Sequence, residues 1–245
     1  MKNSIFRNGV RWVLLAVFLQ SMSALAQVPD SAVSSAMIKL FGDNSFTAQA
    51  NLRVMNSNRV VWLEMPAAFA SGDYKLRLDV DVKLIKSASI PQAMIGMAVQ
   101  MGKDRVSAVI RPDKKMKYNI YPGTKTYDTM ALTAADTEIA TQKLEKKALG
   151  KETMDNHPVV RNLSTVRSSR GAVLLQATTW NATDMKDFPL QIELKENGFS
   201  TIMHFMNVNL VKPDPRIFDI PAGYKEEGAP APKPAAPAAP PAKKK

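Results

Sequence analysis

Apolar and polar residues alternate with period two along most of the chain. The run Tyr74-Lys75-Leu76-Arg77-Leu78-Asp79-Val80-Asp81-Val82-Lys83-Leu84 is the clearest case. Such alternation predicts a strand with one face buried and one in water. Phe46, Ala48, Ala50, Leu52 and Val54 repeat the pattern, as do Val106, Ala108 and Ile110. Pro112-Asp113 then predicts a turn toward Met116, Tyr118 and Ile120. Further strands are expected over 143–153, 158–167, 172–181, 189–196 and 199–211. Asp155-Asn156, Ser169-Arg170-Gly171 and Asn197-Gly198 separate them as turn signals, which makes successive antiparallel hairpins the natural connection.

Two segments change period. From Asp30 to Phe41, Val33, Met37, Leu40 and Phe41 share a helical face, with Asp30 as a cap and Gly42 as a stop. From Pro91 to Met101, Ile90, Met94, Met97 and Met101 fall at helical spacing and Gly102 ends the run. A long antiparallel meander must curl, and something must cover its apolar face. The expected fold is therefore α+β: a curved antiparallel sheet, an incomplete half-barrel, with helices packed in its concave face. That shape either holds an apolar ligand between helix and sheet or has a filled core.

The ends of the chain differ from the body. Lys2, Arg7 and Arg11 precede an apolar run from Trp12 to Leu19 and the small residues Ala24-Leu25-Ala26, the three-part pattern of an export signal cleaved after Ala26. Its apolar run is far shorter than the roughly 20 residues that span a bilayer. The expected location is the periplasm of a bacterium, or release from the cell. From Gly228 the sequence is Ala, Pro and Lys, which predicts a tail without a core that holds Lys243, Lys244 and Lys245 away from the body. Those lysines are the expected contact with an anionic membrane surface or cell wall. The domains read as 1–26 leader, 27–227 body and 228–245 tail.

Cysteine is absent, so disulfides, thiolate metal sites and a cysteine nucleophile are excluded together. The net charge of +11 suggests nucleic acid only until it is divided. Three of the 33 Lys and Arg lie in the leader and four in the tail, which leaves a body nearly balanced against 22 Asp and Glu. No basic stripe tracks a phosphate backbone.

The stretch Lys212-Pro213-Asp214-Pro215-Arg216-Ile217-Phe218-Asp219-Ile220-Pro221-Ala222-Gly223-Tyr224 resembles the C-terminal signature of exported proteins related to the lipoprotein carriers LolA and LolB. Leu40-Phe41-Gly42 before Phe46, the turn Arg111-Pro112-Asp113-Lys114-Lys115, Tyr118 and Tyr121, Leu149-Gly150-Lys151-Glu152 and the segment from Trp180 to Pro189 resemble an uncharacterised branch of that superfamily. Asn156-His157-Pro158-Val159-Val160 departs from it, lacking the glycine and cysteine of the family pattern. The resemblance implies an incomplete barrel closed by helices and used to shield acyl chains or to bind lipids and exposed peptides.

Catalytic chemistry has little material. The only imidazoles are His157, in a turn, and His204, in a strand, and neither lies in a metal-ligand motif. Asp79 and Asp81 share a strand face but are flanked by Arg77 and Lys83, which reads as a solvated charge ladder. The expected protein is a non-enzymatic carrier of a hydrophobic ligand, with no metal and no cofactor. Met94, Met97 and Met101 would form an adaptable thioether lid, with Trp62, Leu78, Val80, Tyr118 and Trp180 lining or rimming the concavity. The alternative is a structural or regulatory envelope module with a filled core.

Overall fold

The computed structural model describes residues 35–227 apart from 88, 89 and 197. The leader, the cleavage site, the helix start at Asp30 and the lysine tail lie outside the described residues. Two helices, α1 (Ser35–Leu40) and α2 (Gln92–Gln100), accompany a long meander. Its first half comprises β1 (Phe46–Asn56), β2 (Val61–Gly72), β3 (Lys75–Asp81), β4 (Lys86–Ser87), β5 (Arg105–Arg111), β6 (Met116–Tyr121) and β7 (Thr126–Ala131). A one-turn helix, α3 (Ala134–Thr137), leads to β8 (Lys143–Met154), β9 (His157–Arg167), β10 (Val173–Ala182), β11 (Phe188–Glu196), β12 (Phe199–Asn209) and the short β13 (Lys225–Glu226).

All thirteen strands belong to one open, curved sheet in the order β13-β7-β6-β5-β3-β2-β1-β12-β11-β10-β9-β8, with β4 paired to β2. Every pairing is antiparallel except β13 with β7. Irregular register in β1, β8 and β10 adds local twist. The predicted hairpins appear: Asp155 and Asn156 both take positive φ, at 49° and 66°, as the tight turn between β8 and β9 requires.

Three elements differ from the sequence pattern. The alternation through Leu84 breaks at Asp81, whose carboxylate accepts the Lys83 N–H at 3.0 Å and turns Val82–Leu84 into a 3-10 turn. β2 was hidden by Pro66 and a run of alanines. Pro66 lies opposite Asn51 of β1, at the point along β2 where β3 has ended and β4 has not yet begun. A missing N–H interrupts the fewest ladder bonds there. β7, polar and half-exposed, carries no apolar alternation.

The main core lies on one face of the sheet. Met37 and Leu40 of α1 are fully buried, and Phe41 just beyond the helix is 1% exposed. The Phe41 ring sits 4.7 Å from Phe46, 5.9 Å from Phe188 and 5.5 Å from Phe205, and Phe69 stands 5.2 Å from Phe205. Gly42, at φ 62°, ends the helix in the left-handed conformation.

On the opposite face a second cluster joins Ala70, Val109, Tyr118, Ile120 and Phe218. The C-terminal segment straps it down. Arg77 donates to the Ile217 carbonyl at 2.6 Å, and Arg111 donates to the Phe218 carbonyl at 3.1 Å and to Asp219 at 2.5 Å. Arg111 also binds Asp113 through two nitrogens. The Arg111–Lys115 turn and the C-terminal signature, separate in sequence, are thus two halves of one ion-pair cluster, completed by Lys114 on Asp219 at 3.1 Å.

Candidate functional site

The core face is unevenly filled. Between β2, β1, β12 and β11 the five phenylalanines leave their side chains almost fully buried. On β3 and β5 the same face carries Leu78, 5% exposed, but Val80, Val106 and Ala108 are only partly buried. Register places Val80 opposite Val106 and Leu78 opposite Ala108, so the four form one apolar patch across two strands.

Helix α2 belongs to this half. It leaves β4, where the Ser87 hydroxyl donates to the Trp62 carbonyl and accepts the Ile90 N–H at 3.1 Å each. Its buried residue is Ile95, at 8% exposure, and Ile90 and Ala98 pack partly against the main core. At its far end Gly102 meets Gly123 so closely that a Cβ on Gly123 would stand 2.2 Å from the Gly102 carbonyl oxygen. The next residue, Lys103, lies over the Tyr121 ring at 4.4 Å and pairs with Glu227 at 2.7 Å. Burial, then the hydrogen bond to Asp128, pushes the Tyr121 hydroxyl pKa up, which keeps the phenol neutral. Burial opposes ionisation of Glu227, but its bonds to Lys103 and Thr126 hold it below the usual carboxylate range.

The residues expected at a ligand site divide accordingly. Leu78 and Val80 lie on the apolar patch, and Met94 is half-buried on α2. Met97 and Met101 are 39% and 41% exposed, because the helix turns Ile95 rather than the methionine stripe into the core. Trp62 stacks on Phe199 at 5.2 Å, at the hairpin end of the sheet. Tyr118 stands in the second cluster, 6.4 Å from Tyr127, on the face away from α2. Trp180 packs at the margin of the main core and donates to Glu152 at 2.9 Å. The phenylalanine cluster and a buried polar chain, Asn162 to Asn181 to Thr179 to Ser164, escaped sequence reading. Threonine and asparagine at alternate positions of β10 were the available signal for the second.

Two concavities stand out among the described residues. An open trough of about 810 Å³ on the outer face is bordered by Asn51, Glu64, Pro66, Arg77, Asp81 and Arg105. A smaller one of about 580 Å³ lies beyond Phe41, beside Leu144 and the Lys146–Asp187 pair. The trough's charges mostly face one another: Asp79 takes Arg77 at 2.9 Å, and Asp81 lies 3.9 Å from both Lys83 and Arg105. His204 of β12 sits 2.6 Å from Asp155 in the β8–β9 turn, although β11 and β10 separate β12 from β9 in the sheet, and His157 at the start of β9 sits 2.9 Å from Asp184 in the β10–β11 turn. Among the described residues no group of three His, Asp or Glu side chains converges as a metal site.

Comparison with known proteins finds no matching family model and no matching curated protein. Among solved structures the chain is similar to a LolA superfamily protein from Nitrosomonas europaea, at 10% identity and TM-score 0.41, over 77% of this chain and 96% of that one. It is also similar to the Mycobacterium tuberculosis lipoprotein LppX, at 10% identity and TM-score 0.38, over 76% and 99%. A third likeness is to LprF from Mycobacterium bovis, at 12% identity and TM-score 0.35, over 76% and 94%.

Proposed function

We propose that the protein is a non-enzymatic carrier in the bacterial periplasm, which holds a lipid, acyl chain or lipidated peptide between helix α2 and the β3–β5 part of the sheet. In this reading the helices close the concave side of a half-barrel. The phenylalanine cluster is the permanent core, and the patch of Leu78, Val80, Val106 and Ala108 is the seat for cargo. The observation that carries it is the unevenness of the core: four apolar residues of two central strands form a continuous patch, three of them half-buried against the same core to which helix α2 commits one buried residue. Half-buried apolar surface gains free energy when an apolar ligand covers it, at about 25 cal/mol per Å². Met94, unbranched and soft, suits chains of varied shape.

The test is gentle purification from a bacterial periplasm, followed by organic extraction and mass spectrometry. A defined lipid at near-equal stoichiometry, and its loss in Ala108→Trp with the fold retained, are the expected results. A protein that carries no lipid and refuses added fatty acid would instead favour an envelope interaction module with a filled core.

A further inference from the structure

One end of the sheet combines exposed apolar side chains with unpaired cations. At this end β1 turns into β2, and register brings Asn56 of β1 and Glu196 of β11 to Phe199 of β12. β3 stops here opposite the start of β5, and α2 runs from β4 to the β6–β7 hairpin at Gly123. The β1–β2 tip presents Val60, 58% exposed, and Val61, 43% exposed, beside the stacked Trp62 and Phe199. Leu84 is 55% exposed and Val99 41% exposed in the same excursion. Folding alone gains nothing by displaying adjacent large apolar residues on a turn.

The tip is also rigid. The Asn56 carboxamide oxygen accepts the N–H groups of Asn58 and Val60 at 3.0 Å each, and the Asn56 N–H reaches the Val60 carbonyl at 3.1 Å. Arg59 takes φ 60°, which projects the two valines from a fixed turn. Around this end stand Arg59, Lys86, Lys125 and Arg170, all exposed. Among the described residues none of the four has a carboxylate partner.

We infer that this end of the sheet is a docking surface for an anionic lipid bilayer, with Val60, Val61 and Trp62 entering the interface and the four cations meeting lipid phosphates. Valine side chains gain free energy by leaving water, tryptophan prefers the headgroup layer, and unpaired cations are drawn to anionic headgroups. Charge complementarity favours a lipid surface over a second copy of the chain, which would bring the same cations together. The inference stands on the tip's own chemistry and requires no bound cargo.

The experiment is co-sedimentation of the full, exported chain with vesicles of phosphatidylethanolamine and phosphatidylglycerol, and with pure phosphatidylcholine vesicles. Vesicle phospholipids are themselves candidate cargo, so Ala108→Trp, which fills the cargo patch, is included and is expected to sediment like the wild type; the carrier reading and this inference then fail separately. Binding to the phosphatidylglycerol vesicles, weakened by salt, is expected. Val60→Asp with Val61→Asp should lower it at least about ten-fold, and Arg59→Gln about five-fold. Val211→Asp, 64% exposed near the Lys212–Asp73 pair at the far end, should leave it unchanged. Thermal melts matching the wild type certify each variant's fold. Three results would overturn the inference: no sedimentation of the wild type with phosphatidylglycerol vesicles, full binding by the double valine variant, or loss of all binding in a chain ending at Glu227, which would assign attraction to the lysine tail.

Discussion

Phe41 tests whether the first helix is an integral part of the core. Its ring contacts Phe46, Phe188 and Phe205 at centroid separations of 4.7, 5.9 and 5.5 Å and is 1% exposed. Phe41→Ala removes about 2.5 kcal/mol of transfer free energy and leaves a hole of roughly 100 Å³, worth about 2.4 kcal/mol at 24 cal/mol per Å³ if the walls hold still. Partial collapse brings the expected loss to about 4 kcal/mol. A chain of this size loses about 2–3 kcal/mol of stability per molar urea. The urea midpoint, followed by Trp62 and Trp180 fluorescence, should therefore fall by about 1.3–2 M with an unchanged slope. Phe41→Leu keeps most of the volume and should cost less than half as much. A loss below about 1 kcal/mol for Phe41→Ala at constant slope would refute the reasoning, because it would mean that the ring occupies a cavity already soft enough to close, or that α1 leaves the sheet without consequence.

Other expectations concern the strap and the helix latch. Arg111 donates to Asp113 and Asp219, and its guanidinium holds both carboxylates below their usual value of 3.8, with Lys114 adding to the effect at Asp219. Depressed carboxylate values add stability that is fully present above that usual value and lost as pH falls through the lowered ones. Arg111→Met should therefore destabilise the protein near neutrality and flatten the acid limb of a plot of melting temperature against pH; an acid limb identical to the wild type would deny the cluster its role. Gly123→Ala places a methyl group 2.2 Å from the Gly102 carbonyl, forcing α2 off the β6–β7 hairpin at a cost of about 1–3 kcal/mol. Limited proteolysis should then cut between Ser87 and Lys103 faster than in the wild type, and an unchanged pattern would mean that the contact relaxes freely.

Most long strands were legible because their alternation is enforced by one buried face, β8 being the exception with no buried residue along its length, and the turns because Asp155-Asn156 and Gly171 need left-handed backbone. β2 was illegible for a local reason, since Pro66 argues against a central strand unless the neighbouring ladder happens to lapse beside it. Helix α2 was legible in extent but not in orientation: the methionines share a stripe at helical spacing, yet Ile95, one position away, is the residue buried. The side of the sheet on which Tyr118 falls could not be read, because β6 buries residues on both faces, Tyr118 and Ile120 under the strap and Tyr121 against Lys103. The arginine cluster was visible only as two separate motifs, since nothing in a linear pattern pairs Arg111 with Asp219.

The pairing of β1 with β12 sets the order in which the molecule can be assembled. Every other long strand finds a partner nearby in the chain, so two meanders can form by local hairpins. Their seam joins the first strand to the last long one, and Asn207 donates to Gln49 across 158 residues. Closing so long a loop is entropically costly and slow. The five-ring core also waits on that seam, because Phe41, Phe46 and Phe69 come from one side and Phe188 and Phe205 from the other. A chain growing from its N-terminus can therefore form its first meander early, yet it lacks the complete ring core until nearly all of it has been made.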